Sequence, residues 1–270
     1  RIPGSRRYQS DLGATLPPVP AELQILNGAW PEEPGLDTAI NKSLLDAVSA
    51  REIPATLRLY VPGREIAFGK RDAIAREYPD AVAAAGAVGF AAIERLAGGR
   101  AAAFTEHTIA FSLAMPDTDP RTAIHARFRE ISGLMVDAFD RLGVVSEIGE
   151  VAGEYCPGEF SVNHKHRIKL MGVGQRLAKH ATHVGGVIAV NRTDLLLKAL
   201  VPVYRALRLE WRPPTAGSLG DVTRVTNEDT MAAIRREFRA RYAVTKGRIP
   251  TDLVERARDE AGRYVSAPPG

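Results

Sequence analysis

Two periods organise the apolar and polar positions of this chain. Over 37–48 (DTAINKSLLDAV) apolar residues recur at helical spacing, and Gly35 and Asp37 can start a helix there. Over 56–61 (TLRLYV) they alternate, which predicts a strand; Pro62-Gly63 turns the chain, and 65–68 is its expected partner. An Ala-rich stretch over 80–87 predicts a short helix. A second strand group follows at 91–95, 101–104 and 108–114, with a turn at Gly98-Gly99. Asp117 and Thr118 can cap a long helix over 120–142, with Ile124, Phe128, Ile131, Met135 and Phe139 on one face and Gly143 ending it. The segment 144–190 is strand-rich: 160–162, a turn over 163–167, then 168–174 and 184–190. Three helices complete the pattern: one capped by Thr193 or Asp194 and running to Tyr204, one capped by Asn227 and running to about Tyr242, and one opened by Pro250 and running to about Val265. Strands come in runs, not in strict β-α alternation, so the expected fold is α+β, with a mixed or antiparallel β-sheet flanked by helices. No internal repeat, P-loop, post-strand GxGxxG or HExxH is present in the sequence.

Composition narrows this picture. The 270 residues are 45% apolar and 25% charged, the mix of one large domain or of one domain with a small appendage. A Pro-rich polar arm is expected over 1–25, a main domain over 26–212 and a helical extension over 213–270. The single cysteine, Cys156, excludes an internal disulfide and any cysteine-cluster zinc or iron–sulfur site built from this chain alone. That usage suits a reducing compartment, and a cytoplasmic location is expected. Lys plus Arg number 36 against 32 acidic residues, a net +4 with no block of five like charges, so no nucleic-acid tail is expected. No apolar run approaches the ~20 residues that span a bilayer, and the opening residues, from Arg1, lack a signal peptide's apolar core.

Three segments can carry chemistry. Arg95-Leu-Ala-Gly98-Gly99-Arg100-Ala101 couples a cation to two glycines whose backbone N–H groups can approach a ligand; a hairpin turn explains the glycines equally well. In Tyr155-Cys156-Pro157-Gly158 a cysteine stands at the mouth of a turn before a strand. As a nucleophile it needs a nearby cation or dipole to favour the thiolate, and the commoner fate of a lone cysteine is an inert buried thiol. Lys169-Leu-Met-Gly172-Val173-Gly174-Gln175 places a lysine where the hairpin returns it alongside the strand that follows Cys156. That lysine can depress the thiol pKa and bind an acyl carbonyl, or be an exposed strand lysine. The histidines show no metal spacing; His180 and His183 read as surface residues, and a cysteine–histidine pair with His183 or His107 stays open.

Taken in order, these segments resemble the lipoate/octanoate protein ligase and octanoyltransferase family, which shares its catalytic fold with biotin protein ligases. Arg95, Gly98 and Gly99 match the ligase arginine and glycines, and Lys169, Gly172, Gly174 and Gln175 match its later lysine strand; the likeness runs from about Trp30 to Tyr204. Arg100 replaces a third glycine, Phe104-Thr105 stands where ligases have His-Asp, and His107-Thr108 where they have Gly-Asn. The block YCPGEFSVN followed by KLMGVGQR is similar to the cysteine-dependent octanoyltransferases that act on the glycine-cleavage H protein. The resemblance implies a transferase with Cys156 and Lys169 as catalytic residues. It also implies an acyl site formed by Arg95, Gly98, Gly99, Ala101, Gly172, Val173, Gly174 and Gln175. The implied acyl group is octanoyl or lipoyl. The implied partners are lipoyl domains or the H protein, with an acyl carrier protein as another donor, and neither nucleic acid nor membrane. No cofactor is implied for transfer; an ATP-dependent lipoate–protein ligase would use ATP and Mg. A non-catalytic acyl- or carrier-binding relative is the third alternative.

Overall fold

The computed structural model describes residues 22–267. These form strands β1 (Leu23–Asn27), β2 (Ala55–Tyr60), β3 (Glu65–Phe68), β4 (Ala91–Glu94), β5 (Ala102–Phe104), β6 (Thr108–Pro116), β7 (Glu147–Ile148), β8 (Val162–His164), β9 (Ile168–Leu177), β10 (Ala181–Ala189) and β11 (Val244–Arg248). The helices are α1 (Leu36–Ser49), α2 (Lys70–Ala73), α3 (Tyr78–Ala87), α4 (Ile124–Arg141), α5 (Thr193–Ala206), α6 (Asn227–Arg241) and α7 (Thr251–Ala261). The fold is α+β, as the strand runs imply.

Eight strands make one mixed sheet in the order β11-β1-β2-β6-β10-β9-β8-β7, and β4-β3-β5 make a second, smaller one. The first is parallel where β1 meets β11 and β2, and antiparallel from β2 to β7. Alternation along β2 sends Leu57 and Leu59 into the core beneath α4 and α6. On the other face Arg58 bonds Asp37 and Asn41 of α1, and its guanidinium lies 4.0 Å from the Tyr60 ring centroid. A second core holds the small sheet against α3 and α5.

Several expectations change. Segment 65–68 does not pair with 56–61: β1 and β6 already occupy both edges of β2, so β3 starts the second sheet. Strands β4 and β5 flank β3 on opposite sides, so Gly98-Gly99 is not a hairpin turn. The loop instead crosses the end of β3, where Arg95 N bonds Phe68 O (3.0 Å). Helix α4 starts at Ile124, because the Asp117 carboxylate is taken by Arg127 (2.6 Å) and by the Asp119 N–H (2.8 Å). Thr226, not Asn227, caps α6, accepting from Asp229 N. Arg192 stands at the N-cap of α5, and neither Thr193 nor Asp194 caps it.

The expected arm lies outside the described residues up to residue 21, and 23–27 is strand β1. The expected helical extension carries strand β11 beside β1; its α6 packs on α4 and its α7 on α1. Residues 216–217 run beside β9 at Lys169, where Gly217 N bonds Lys169 O (3.3 Å).

Candidate active site

The loop between β7 and β8 carries Cys156 in a left-handed conformation (φ 43°), a strained choice for a residue with a Cβ. Two groups hold it there. The Tyr204 hydroxyl of α5 accepts from Cys156 N (2.8 Å) and donates to Ala101 O (2.9 Å), joining the loop to β5. The Glu154 carboxylate accepts from Val151 N (3.0 Å), Gly158 N (3.1 Å), Ser161 Oγ (2.6 Å) and Lys169 Nζ (2.9 Å). The β8–β9 hairpin brings Lys169 there through left-handed Lys165 and His166, whose paired positive φ is that of a type I′ turn.

The resulting cleft has a volume of about 390 Å³ and opens at one side. Cys156, Pro157 and Gly158 form one wall with Arg95, Gly98 and Gly99; Gly172–Gln175 of β9 form another; Ile124, Phe128, Ala102 and Val187 give it an apolar lining. Cys156 is partly buried and lines it.

The cations are arranged differently from the sequence expectation. Lys169 does not donate to sulfur: besides Glu154, its ammonium donates to Tyr155 O (3.1 Å) and Cys156 O (2.7 Å). The groups that reach Cys156 Sγ are Arg95 Nη2 (3.3 Å) and the Arg100 backbone N–H (3.2 Å). Burial pushes the Cys156 thiol up. The Arg95 charge, then that of Lys169, and the Arg100 N–H outweigh it, so the pKa lies below that of an ordinary thiol.

Of the other expected site residues, Gly98, Gly99, Gly172, Val173, Gly174 and Gln175 line the cleft. Ala101 does not: it is buried in the second core, and its neighbour Ala102 faces the cleft because side chains alternate along the strand. The Gln175 amide is committed to Arg127 Nε (2.8 Å) and Ile124 O (3.3 Å), which anchors the start of α4 at the rim. At Gly99 (φ 108°) a Cβ would lie 2.9 Å from Cys156 Sγ and 2.3 Å from Arg95 Nη2, so only glycine lets the guanidinium and sulfur meet. Gly174 lets Ala97 approach, since a Cβ there would lie 2.7 Å from the Ala97 Cβ.

Among the described residues no histidine lines the cleft. His183, expected at the surface, is buried and bonds Ser112 (2.9 Å), and burial pulls its pKa down to about 4. His107 sits in the Thr105–Thr108 turn, whose hydroxyls bond within it. Sequence reasoning did not single out Glu154, Asp72, Tyr204 or Phe128 as site residues. Glu154 stands two residues before Cys156, a signal within reach; Tyr204 is 48 residues away and only the fold reveals it. Asp72, fully buried, anchors the Arg100 side chain (3.0 Å).

Comparison with known proteins fits this arrangement. The family model for the Lipoyl protein ligase A/B catalytic domain matches residues 33–239. An octanoyl-GcvH:protein N-octanoyltransferase of Geobacillus kaustophilus is 27% identical over 57% of this chain and 54% of its own length. One of Bacillus velezensis is 26% identical over 74% of this chain and 75% of its own. The match thus spans about half the length of the first relative. A lipoate-protein ligase A bound with ATP superposes with a TM-score of 0.70 at 16% identity, covering 90% of this chain and 95% of that one. An archaeal bi-partite lipoate protein ligase from Thermoplasma acidophilum gives 0.68 at 17% identity, covering 90% and 92%. This chain belongs to the lipoyl protein ligase A/B catalytic domain family. Among the described residues no helix is long and apolar enough to cross a membrane.

Proposed function

We propose that this chain is an acyltransferase that moves an octanoyl or lipoyl group through a Cys156 thioester onto a lysine of a lipoyl-domain or H-protein acceptor. The observation that carries the proposal is a thiol with a lowered pKa lining a cleft of about 390 Å³ that also has apolar walls. The relatives' names, which specify octanoyl transfer between proteins, support it.

The thiolate attacks the donor carbonyl. With an amide donor, the C–S bond forms, the C–N bond breaks, and the donor amine leaves with the proton the thiol gave up. The acceptor lysine amine then attacks the thioester; a new C–N bond forms, the C–S bond breaks, and the thiol is restored. One amide replaces another, so the cycle has no net need of ATP. At about 0.8 kcal/mol per buried CH₂, the apolar lining from Ile124, Phe128 and Val173 favours a medium chain over acetyl.

An ATP and Mg route has less support from the chain's own residues. Where ligases have His-Asp and Gly-Asn, the turn here spends its hydroxyls on itself: Thr108 Oγ1 donates to Thr105 O (2.9 Å).

Intact-mass analysis after mixing with octanoylated H protein tests the proposal. The expected result is one octanoyl adduct, lost in Cys156→Ala, with transfer falling by more than about 10³-fold. Full transfer by Cys156→Ala, or pyrophosphate release from ATP and free octanoate, would overturn it.

A further inference from the structure

Lys169 has three ammonium hydrogens and three acceptors: Glu154 Oε1 at 2.9 Å, Tyr155 O at 3.1 Å and Cys156 O at 2.7 Å. It is 1% exposed, and no donor is left for sulfur or for an acyl oxygen. Its part is to fasten the loop from beneath and to lend charge at a distance. The groups at the sulfur come from the other side. Arg95 Nη2 stands 3.3 Å and Arg100 N 3.2 Å from Sγ, and the guanidinium is fixed by its bond to Arg100 O (2.7 Å). Arg95 Nε is buried without a hydrogen-bond partner, so the guanidinium keeps donor capacity. Gly99 is the residue that permits the contact, and it packs against Gly69, where a Cβ would lie 2.0 Å from Gly99 O.

We propose that Arg95 is a catalytic residue: its guanidinium and the Arg100 N–H form an anion hole that holds the Cys156 thiolate and then the oxyanion of the acyl intermediate, with Lys169 as a positioning residue. The second half of this role rests on the acyl-transfer reading; the first half does not. On acylation the sulfur loses its charge, and the same N–H groups stand beside the thioester. When the acceptor amine adds to the carbonyl, the C=O electron pair moves onto oxygen, within reach of these donors. Collapse restores C=O and breaks C–S, the C–S bonding pair going to sulfur, while the added nitrogen gives up the proton that restores the thiol.

The test is the pH dependence of iodoacetamide alkylation of Cys156 in the full chain, which needs no acyl donor. The wild-type inflection is expected below the ordinary thiol value of about 8.5. Arg95→Gln should raise it by about one pH unit or more. Arg95→Lys should fall between. The double variant Glu154→Gln with Lys169→Met removes the lysine charge without stranding a buried carboxylate, and should shift it less than Arg95→Gln. An unmoved inflection in Arg95→Gln, or a larger shift in the double variant, overturns the anion hole. Should Arg95→Gln fail to fold, Gly99→Ala keeps every charge and pushes the guanidinium off sulfur. A raised inflection there supports the assignment, and an unchanged one overturns it. In a separate arm, pre-formed octanoyl-Cys156 is mixed with acceptor: Arg95→Gln should slow transfer by about 10²-fold. A wild-type rate there overturns the oxyanion half. If no carrier octanoylates the wild type while Arg95→Gln moves the alkylation curve, the acyl-transfer reading fails and the thiolate half stands.

Discussion

Lys169 Nζ lies 2.9 Å from Glu154 Oε1, and both side chains are fully shielded from solvent directly beneath the Cys156 loop. A buried pair of this kind adds little net stability over an apolar substitute, but removing one partner strands the other. Glu154→Ala strands the ammonium and also frees Val151 N, Gly158 N and Ser161 Oγ. The expected loss is about 3–5 kcal/mol, read from the midpoint of urea unfolding. Lys169→Met should cost a comparable amount, and pairing it with Glu154→Gln should recover most of it.

Tyr204→Phe removes one hydroxyl and leaves two backbone groups, Cys156 N–H and Ala101 C=O, without a partner. The expected stability cost is about 1–3 kcal/mol. Because the hydroxyl holds the nucleophile's strained backbone and touches no reacting atom, kcat for octanoyl transfer should fall while the KM of the carrier stays near wild type. A combined thermal melt and steady-state series separates the two effects.

The apolar lining predicts chain-length selection. Ala102 is buried and faces the cleft. Ala102→Leu fills part of the space for the acyl tail, so octanoyl transfer should fall by about 10-fold or more relative to butyryl. Competition between the two donors, read by intact mass, measures the ratio.

Stability should depend on pH through Glu65. Burial raises its carboxyl to about 7, and one oxygen accepts from Gly35 N (3.0 Å). The folded chain thus keeps the proton above the unfolded value of about 4.3. Its stabilising effect is complete below that value and is lost as pH rises through about 7. Glu65→Gln keeps an acceptor oxygen and cannot ionise. Its unfolding free energy should exceed the wild type's by about 2 kcal/mol at pH 8 and match it near pH 4. Urea titrations at the two values check the sign.

Much of the architecture was legible because periodicity follows burial. Helix α4 carries Ile131, Met135 and Phe139 into the core at helical spacing, and β10 and β6 are long apolar strands. Strand β11 was not, since Val244–Arg248 is a half-exposed edge strand with a lysine, an arginine and a glycine in place of an apolar alternation. Partnership was harder still. Local pattern shows that 65–68 is extended, but not that both edges of β2 are taken. At the site, Cys156, Arg95 and Lys169 were each visible as residue types at turns and strand ends. Which cation meets sulfur was not, because it depends on a glycine at φ 108° and on where a lysine's three hydrogens go.

The two sheets also divide the reactive group between them. Arg95 and Gly99 follow β4 of the three-stranded sheet, whereas Lys169 lies on β9 of the eight-stranded one and Cys156 in the loop between its β7 and β8. The groups that favour the thiolate therefore come from both sheets, the guanidinium and the Arg100 N–H from one and the Lys169 charge from the other. Nucleophilicity becomes a gauge of how the two sheets are seated against each other.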